Sequence, residues 1–250
     1  ESDSVPGRVS LWAGKFAKKI AVSYPAAANY FPKEKVAFTG NPVRQELLNV
    51  QKSGAYDFFK LEENIPTILV LGGSLGSKII NDMILDALPE LLKNYQIIHQ
   101  TGRNNFKLIS EMAEVVLKGS AFNSRYHPFD YLNDLAIRMS AGVANLVISR
   151  AGSTIFEISI WEIPAILIPI TDSIGDHQRN NAYTYARSGA AVVIEEANLN
   201  SNILIDEIKR IIDNPAEREK MSKAARSFSR PDSAKVVAGE IIMIGLKHEK

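Results

Sequence analysis

Short apolar runs alternate with helix-period segments along most of the chain. The runs 20–23 (IAVS), 35–39 (KVAFT), 67–72 (TILVLG), 95–100 (YQIIHQ), 145–149 (NLVIS), 164–170 (PAILIPI) and 190–195 (AAVVIE) read as strands. Their near-continuous apolarity indicates parallel strands covered on both faces. Between them, 76–93 places Ile79, Ile80, Met83, Ile84, Ala87, Leu88 and Leu91 at spacings of three and four, one wide apolar stripe of a helix. Segments 104–118, 131–141, 153–162 and 176–188 follow the same period less cleanly, and 234–247 reads as a last helix. Strand–helix alternation with short connections predicts an α/β fold with a Rossmann-like, doubly wound parallel sheet.

Turn chemistry divides the chain. GNPVR (40–44) closes the first two strands and precedes a polar stretch, 49–66, while SRPDSAK (229–235) interrupts the helical pattern near the end. The expected organisation is a segment 1–44 with a hinge, a sheet domain 45–228, and a terminal helical segment 229–250 that packs back on the first.

Composition narrows the function classes. The chain is 46% apolar and 23% charged, as ordinary globular proteins are. A net charge of +1 gives no reason to expect nucleic acid, and the absence of cysteine excludes disulfides and thiolate chemistry. No apolar stretch reaches the roughly 20 residues of a membrane span. Charge is uneven locally: Arg8, Lys15, Lys18, Lys19, Lys33, Lys35 and Arg44 face one acid, Glu34. RVSLWAGKFAKKIAVSY (8–24) interleaves Leu11, Trp12 and Phe16 with basic residues, which suits an anionic membrane surface and equally a solvated helix with a core side. The opening ESDSVPGR, without methionine, is expected of a piece of a longer protein.

In an open α/β sheet, ligands bind beyond the carboxyl ends of the strands. The loop LGGSLGSK (71–78) lets Gly72, Gly73 and Gly76 turn the backbone toward a helix start, where converging N–H groups and Ser74 suit a phosphate. It spells neither common nucleotide fingerprint, and the same composition makes a tight turn with no ligand. In SRAGSTIFE (149–157), Gly152, Ser153 and Thr154 open another helix, with Glu157 near its first turn. Such a carboxylate can accept both hydroxyls of a ribose, or simply favour a helix N-terminus. DSIGDHQRNNA (172–182) concentrates amides, which donate and accept as sugar hydroxyls do. Neither a second ligand for His177 nor an acidic cluster resembling a magnesium site is found, so no metal or cofactor is expected. Together these loops form a pocket for a nucleotide diphospho-sugar.

These residues resemble the donor half of GT-B glycosyltransferases, and more narrowly the MurG family, the bacterial N-acetylglucosaminyltransferases that make lipid II. GNPVR, the glycine loop, SRAG…E and DHQxxNA recur in that order and spacing, and ESDSVPGR is similar to the family's H-E-x-N-x-x-P-G segment. The resemblance implies inverting transfer of N-acetylglucosamine from UDP-N-acetylglucosamine to lipid-linked muramoyl-pentapeptide, on the inner face of the cell membrane. It implies Ser74, Gly73 and Gly76 at the diphosphate, Arg44 near the nucleotide, and Phe129 and Asp130 beside the uracil, largely through main-chain groups. Glu157 would take the ribose, Ser153 and Thr154 the phosphate and sugar, with Arg150 supporting that turn. Gln178 and Asn181 would read the sugar, and Asp3 would lie on the acceptor side where the family has asparagine. Leu75 replaces the family's glutamine. The resemblance further implies that the catalytic base lies in an N-terminal domain outside this chain, so no catalytic residue is expected here. Alternatives are a donor-binding subunit of a split glycosyltransferase and a UDP-N-acetylglucosamine 2-epimerase.

Overall fold

The computed structural model describes residues 1–73, 75–171 and 174–246. A short helix α1 (Arg8–Gly14) precedes β1 (Ile20–Val22) and β2 (Val36–Phe38), which pair in parallel as a separate two-stranded sheet. After α2 (Ala55–Phe59) the main unit begins with β3 (Thr67–Leu71), α3 (Lys78–Leu91), β4 (Gln96–Gln100), α4 (Phe106–Val116), β5 (Tyr126–Phe129) and α5 (Asp134–Val143). Its second half is β6 (Ala144–Ser149), α6 (Thr154–Trp161), β7 (Ala165–Leu167), α7 (His177–Ala186) and β8 (Ala191–Val193). Three helices close the chain: α8 (Ser201–Ile212), α9 (Pro215–Phe228) and α10 (Ser233–Leu246).

The six strands of the main sheet are all parallel, in the order β5-β4-β3-β6-β7-β8. The order reverses between β3 and β6, which is the doubly wound arrangement, with a crevice at that switch point. Alternate residues of β3 feed opposite cores. Ile68 and Val70 pack with Leu88 and Ile208 on one face, Leu69 and Leu71 with Val147 and Ile158 on the other. Both faces are covered, which explains why the strand reads as an unbroken apolar run.

The structure adds elements not expected from the sequence. Pro128 broke the pattern of β5, which lies at the sheet edge, where proline is tolerated. The amphipathic α8 buries Leu204, Ile208 and Ile211, and the Asn200 side chain caps it by accepting from the Ile203 N–H at 3.0 Å. Asn214 caps α9 in the same way through the Glu217 N–H at 3.1 Å. The strand expected over 164–170 is shorter, because Pro169 cannot donate to a ladder.

The first two strands and α10 lie side by side. A groove of about 320 Å³ lies between β1–β2 and α10, with Lys19, Val36, Val237 and Ile241 among its walls, and the Arg230 guanidinium stacks 4.7 Å over Phe38. Among the described residues, no helix is long and apolar enough to cross a membrane.

Candidate functional site

The two glycine-containing turns flank the switch point. The loop from Gly72 to Ser77 follows β3, and the turn Arg150–Ser153 follows β6, its neighbour in the sheet. One side chain joins them. Arg150 donates from Nη2 to Ser77 Oγ at 2.7 Å and from Nη1 to the Ile168 carbonyl at 3.0 Å, and pairs with Glu196 at 2.6 Å. Glu196 also accepts from the Thr171 N–H and hydroxyl. Burial pushes the Glu196 carboxyl up, but the bonds from Thr171 and Arg150 outweigh it, so its pKa is lowered. Arg150 thus fastens the loops after β3, β6 and β7 to one another.

The helix start at α6 is open. No side chain caps it; Ser153 is exposed at the N-cap position. The N–H groups of Ile155 and Phe156 reach back to the carbonyls of Gly152 and Ser153. Those of Ser153 and Thr154 precede the first helical bond and leave the helix end as donors. One turn on, Glu157 is largely buried and 3.8 Å from Arg44, which also bonds Asp134 at the start of α5. Burial, with help from Asp134, raises the Glu157 pKa against the opposing pull of Arg44. A carboxylate kept short of solvent and poorly compensated is ready for hydroxyl donors.

The β3 side is closed by comparison. Ser77 caps α3 through the Ile80 N–H, and Gly76 (φ +76°) presses on the next loop: a Cβ there would stand 2.1 Å from the Thr101 carbonyl oxygen. The Gln100 amide bridges the Gly73 carbonyl and the Leu132 N–H, and Asn105 donates to the carbonyls of Leu75 and Thr101. Gly73, at φ +86° and with open space where a Cβ would go, faces outward. Beside the loop lies a cavity of about 300 Å³ walled by Leu75, Arg103, Asn104 and Tyr131, with Arg103 stacked 5.2 Å from the Tyr131 ring.

Sequence reasoning missed Gln100, Thr101, Arg103 and Asn105. The signal was HQTG, polar residues closing an otherwise apolar strand. Ser74 lies outside the described residues. Asp130 is exposed at the loop after β5, its carboxylate accepting from the Tyr131 N–H.

Three expectations change with the geometry. The Phe129 carbonyl receives both the Thr101 N–H (2.9 Å) and hydroxyl (3.0 Å), so it faces inward, and its ring packs on Phe59. Asn181 is buried, not on an open wall: it accepts from the Ser4 N–H and donates to Asp3 Oδ1, both at 2.8 Å. Asp3 is correspondingly turned onto α7, with His177 Nδ1 3.6 Å from its other oxygen. Gln178 is half-buried at the start of α7 and accepts from the Ile170 N–H at 3.3 Å.

Residues 67–237 match the glycosyltransferase family 28 C-terminal domain. The UDP-N-acetylglucosamine–N-acetylmuramyl-(pentapeptide) pyrophosphoryl-undecaprenol N-acetylglucosamine transferase of Lactiplantibacillus plantarum is 36% identical over 237 residues, covering 94% of this chain and 63% of that protein. Among solved structures, Acinetobacter baumannii MurG has the same fold, with TM-score 0.73 at 23% identity, over 96% of this chain and 65% of that one. So has UDP-GlcNAc 2-epimerase from Neisseria meningitidis bound to UDP-GlcNAc, with TM-score 0.68 at 16% identity, over 92% and 62%. The chain therefore spans somewhat less than two thirds of the length of these relatives. With the family match running from β3 into α10, across the whole six-stranded sheet, the chain belongs to the glycosyltransferase family 28 C-terminal domain family.

Proposed function

We propose that the chain supplies the UDP-N-acetylglucosamine-binding part of an inverting N-acetylglucosaminyltransferase that acts on lipid-linked muramoyl-pentapeptide. The observation that carries this reading is the open start of α6 at the switch point, with the donors of Ser153 and Thr154 beside the half-buried Glu157. The diphosphate lies against that helix end, the ribose hydroxyls on Glu157, and the uracil toward Arg103 and Tyr131. A base takes the proton of the acceptor hydroxyl as its oxygen attacks the anomeric carbon, the bond to the diphosphate breaks, and UDP leaves with added negative charge. Preorganised N–H donors stabilise that charge, one such donor being worth roughly 2.7–4 kcal/mol in mutational precedent.

Calorimetric titration with UDP and UDP-N-acetylglucosamine tests the reading. Glu157→Gln removes a charged acceptor and should weaken both ligands about 10- to 100-fold. Equal affinity in both proteins removes the ribose assignment, and no binding of either nucleotide removes the donor site.

The same reading gives the chain ends a role. Residues 1–44 belong to the hinge side of an acceptor domain, and α10 (Ser233–Leu246) lies back across it. The exposed Val9, Trp12 and Phe16 beside Arg8 and Lys15 form the membrane-facing surface of a peripheral enzyme. Cosedimentation with anionic vesicles that survives Arg8→Glu with Lys15→Glu unchanged would remove that surface from the proposal.

A further inference from the structure

Beneath the glycine loop runs a chain of buried polar groups that the donor reading leaves unused. Asn81 of α3, His99 of β4 and Thr101 are fully buried, and Tyr126 of β5 nearly so. Asn81 Nδ2 donates to the Thr101 carbonyl at 3.0 Å. Its Oδ1 lies 3.0 Å from His99 Nε2, and His99 Nδ1 lies 2.9 Å from the Tyr126 hydroxyl.

Only one set of proton positions satisfies every contact. An amide oxygen accepts and cannot donate, so His99 Nε2 carries the hydrogen. The neutral ring then has a bare Nδ1, which accepts the Tyr126 proton. Donation therefore runs in one direction, from Tyr126 through His99 and Asn81 to the Thr101 carbonyl. Burial keeps the ring neutral, pushing its pKa down to about 3. A second ring proton would confront the Tyr126 hydroxyl and reverse the first link.

The end of this chain is the floor of the glycine loop. Gly76 rests against the Thr101 carbonyl that Asn81 holds, and the Thr101 N–H and hydroxyl fix the end of β5. We propose that His99, acting through Asn81, is a positioning residue that sets the height of the glycine loop over the donor site. The proposal rests on the donor-binding reading. His99 touches no ligand; it selects the Asn81 rotamer that offers Nδ2 to Thr101, and a flipped amide would set oxygen against oxygen and lift the loop.

Asn81→Asp is the discriminating variant. It is nearly isosteric, keeps an acceptor toward His99 and removes the donor toward Thr101. It should weaken UDP binding by about three- to tenfold. Ile208→Val, in the core under α3, gives the effect of lost stability alone and should leave UDP affinity unchanged. Nitrogen-15 spectra of the imidazole should show His99 protonated at Nε2 throughout about pH 5 to 8, the range in which free histidine titrates. Unchanged UDP affinity in Asn81→Asp, an equal loss in Ile208→Val, or a proton on Nδ1 would each overturn the proposal. If the unaltered chain bound no UDP, the donor reading would fall and the positioning role with it. Normal binding with an insensitive Asn81→Asp overturns the positioning role alone.

Discussion

The starts of α3 and α6 are written in nearly the same letters, and they are built for different tasks. Each follows a central strand of the sheet, each contains glycine and serine, and each opens a helix whose dipole favours an anion. At α3, Ser77 caps the helix, Arg150 binds the cap, and Gly76 is wedged against Thr101. At α6, no side chain caps the helix, Ser153 is exposed, and the only acid of the first turn is poorly compensated. Among the described residues, the first is tied to its neighbouring loops and the second leaves an open set of donors. A glycine-rich strand–helix turn thus signals close backbone approach, and whether the partner is a ligand or the next loop depends on what caps the helix.

That contrast can be broken from the braced side first. Gly76→Ala forces a positive φ on alanine and drives its Cβ into the Thr101 carbonyl. It should cost roughly 2–5 kcal/mol of stability in urea denaturation, from the left-handed backbone and the overpacking together. Gly152→Ala, with nothing within 4 Å of its Cβ and no positive φ, is the matched control and should change stability by less than about 1 kcal/mol. Similar losses at both glycines would erase the distinction.

The buried imidazole behind the brace gives a pH signature. The His99 pKa is lowered from 6.5 to about 3 in the folded chain, so the unfolded chain binds the extra proton first as pH falls. Its contribution to stability is complete above pH 6.5 and is lost as pH drops from there toward 3. His99→Gln should be less stable at neutral pH and should lose less stability across that acid window. Parallel curves for the two proteins would contradict the buried neutral state.

On the open side the sign reverses. The Glu157 pKa is raised in the fold, so its stabilising contribution is present below the unfolded value of 4.5 and is lost as pH rises through the folded value. Without ligand, Glu157→Gln should therefore melt at a slightly higher temperature at neutral pH, and the advantage should vanish near pH 4.5. A lower melting temperature at neutral pH would mean that Arg44 compensates the carboxylate fully. The smallest effect belongs to Leu75, which is 78% exposed on the braced loop. Leu75→Gln should change stability by less than about 0.5 kcal/mol in urea denaturation, so that any change in UDP affinity reports a ligand contact.

The fold was legible where burial is two-sided or amphipathic, because β3, β4 and α3 carry the period of their environment. It was illegible at β5, where Pro128 hides an edge strand, and over α9, which buries only Met221 and Ala225; α8 carries the same helical period in Leu204, Ile208 and Ile211 and was overlooked. Within the site, motif and topology bring Arg150, Glu157 and the Ser153–Thr154 turn together at the switch point, where their contacts with a ligand are proposed. For Asn181 the sequence left two kinds of partner open. An amide on a helix start suits a sugar hydroxyl and a neighbouring backbone equally, and only the path of residues 3–4 decides between them. Gln100 and Thr101 were overlooked for the opposite reason: their polar atoms are spent inside the protein, tying loops that lie far apart in sequence.

The most direct test of the open helix start is a nitrogen-15 amide spectrum of the chain titrated with UDP. The N–H signals of Gly152, Ser153, Thr154 and Glu157 should shift most and saturate together, while Ser77 and Ile80, already committed to the α3 cap, should move less. Saturable shifts confined to the α3 start, or none at either helix, would contradict the assignment of the diphosphate to α6.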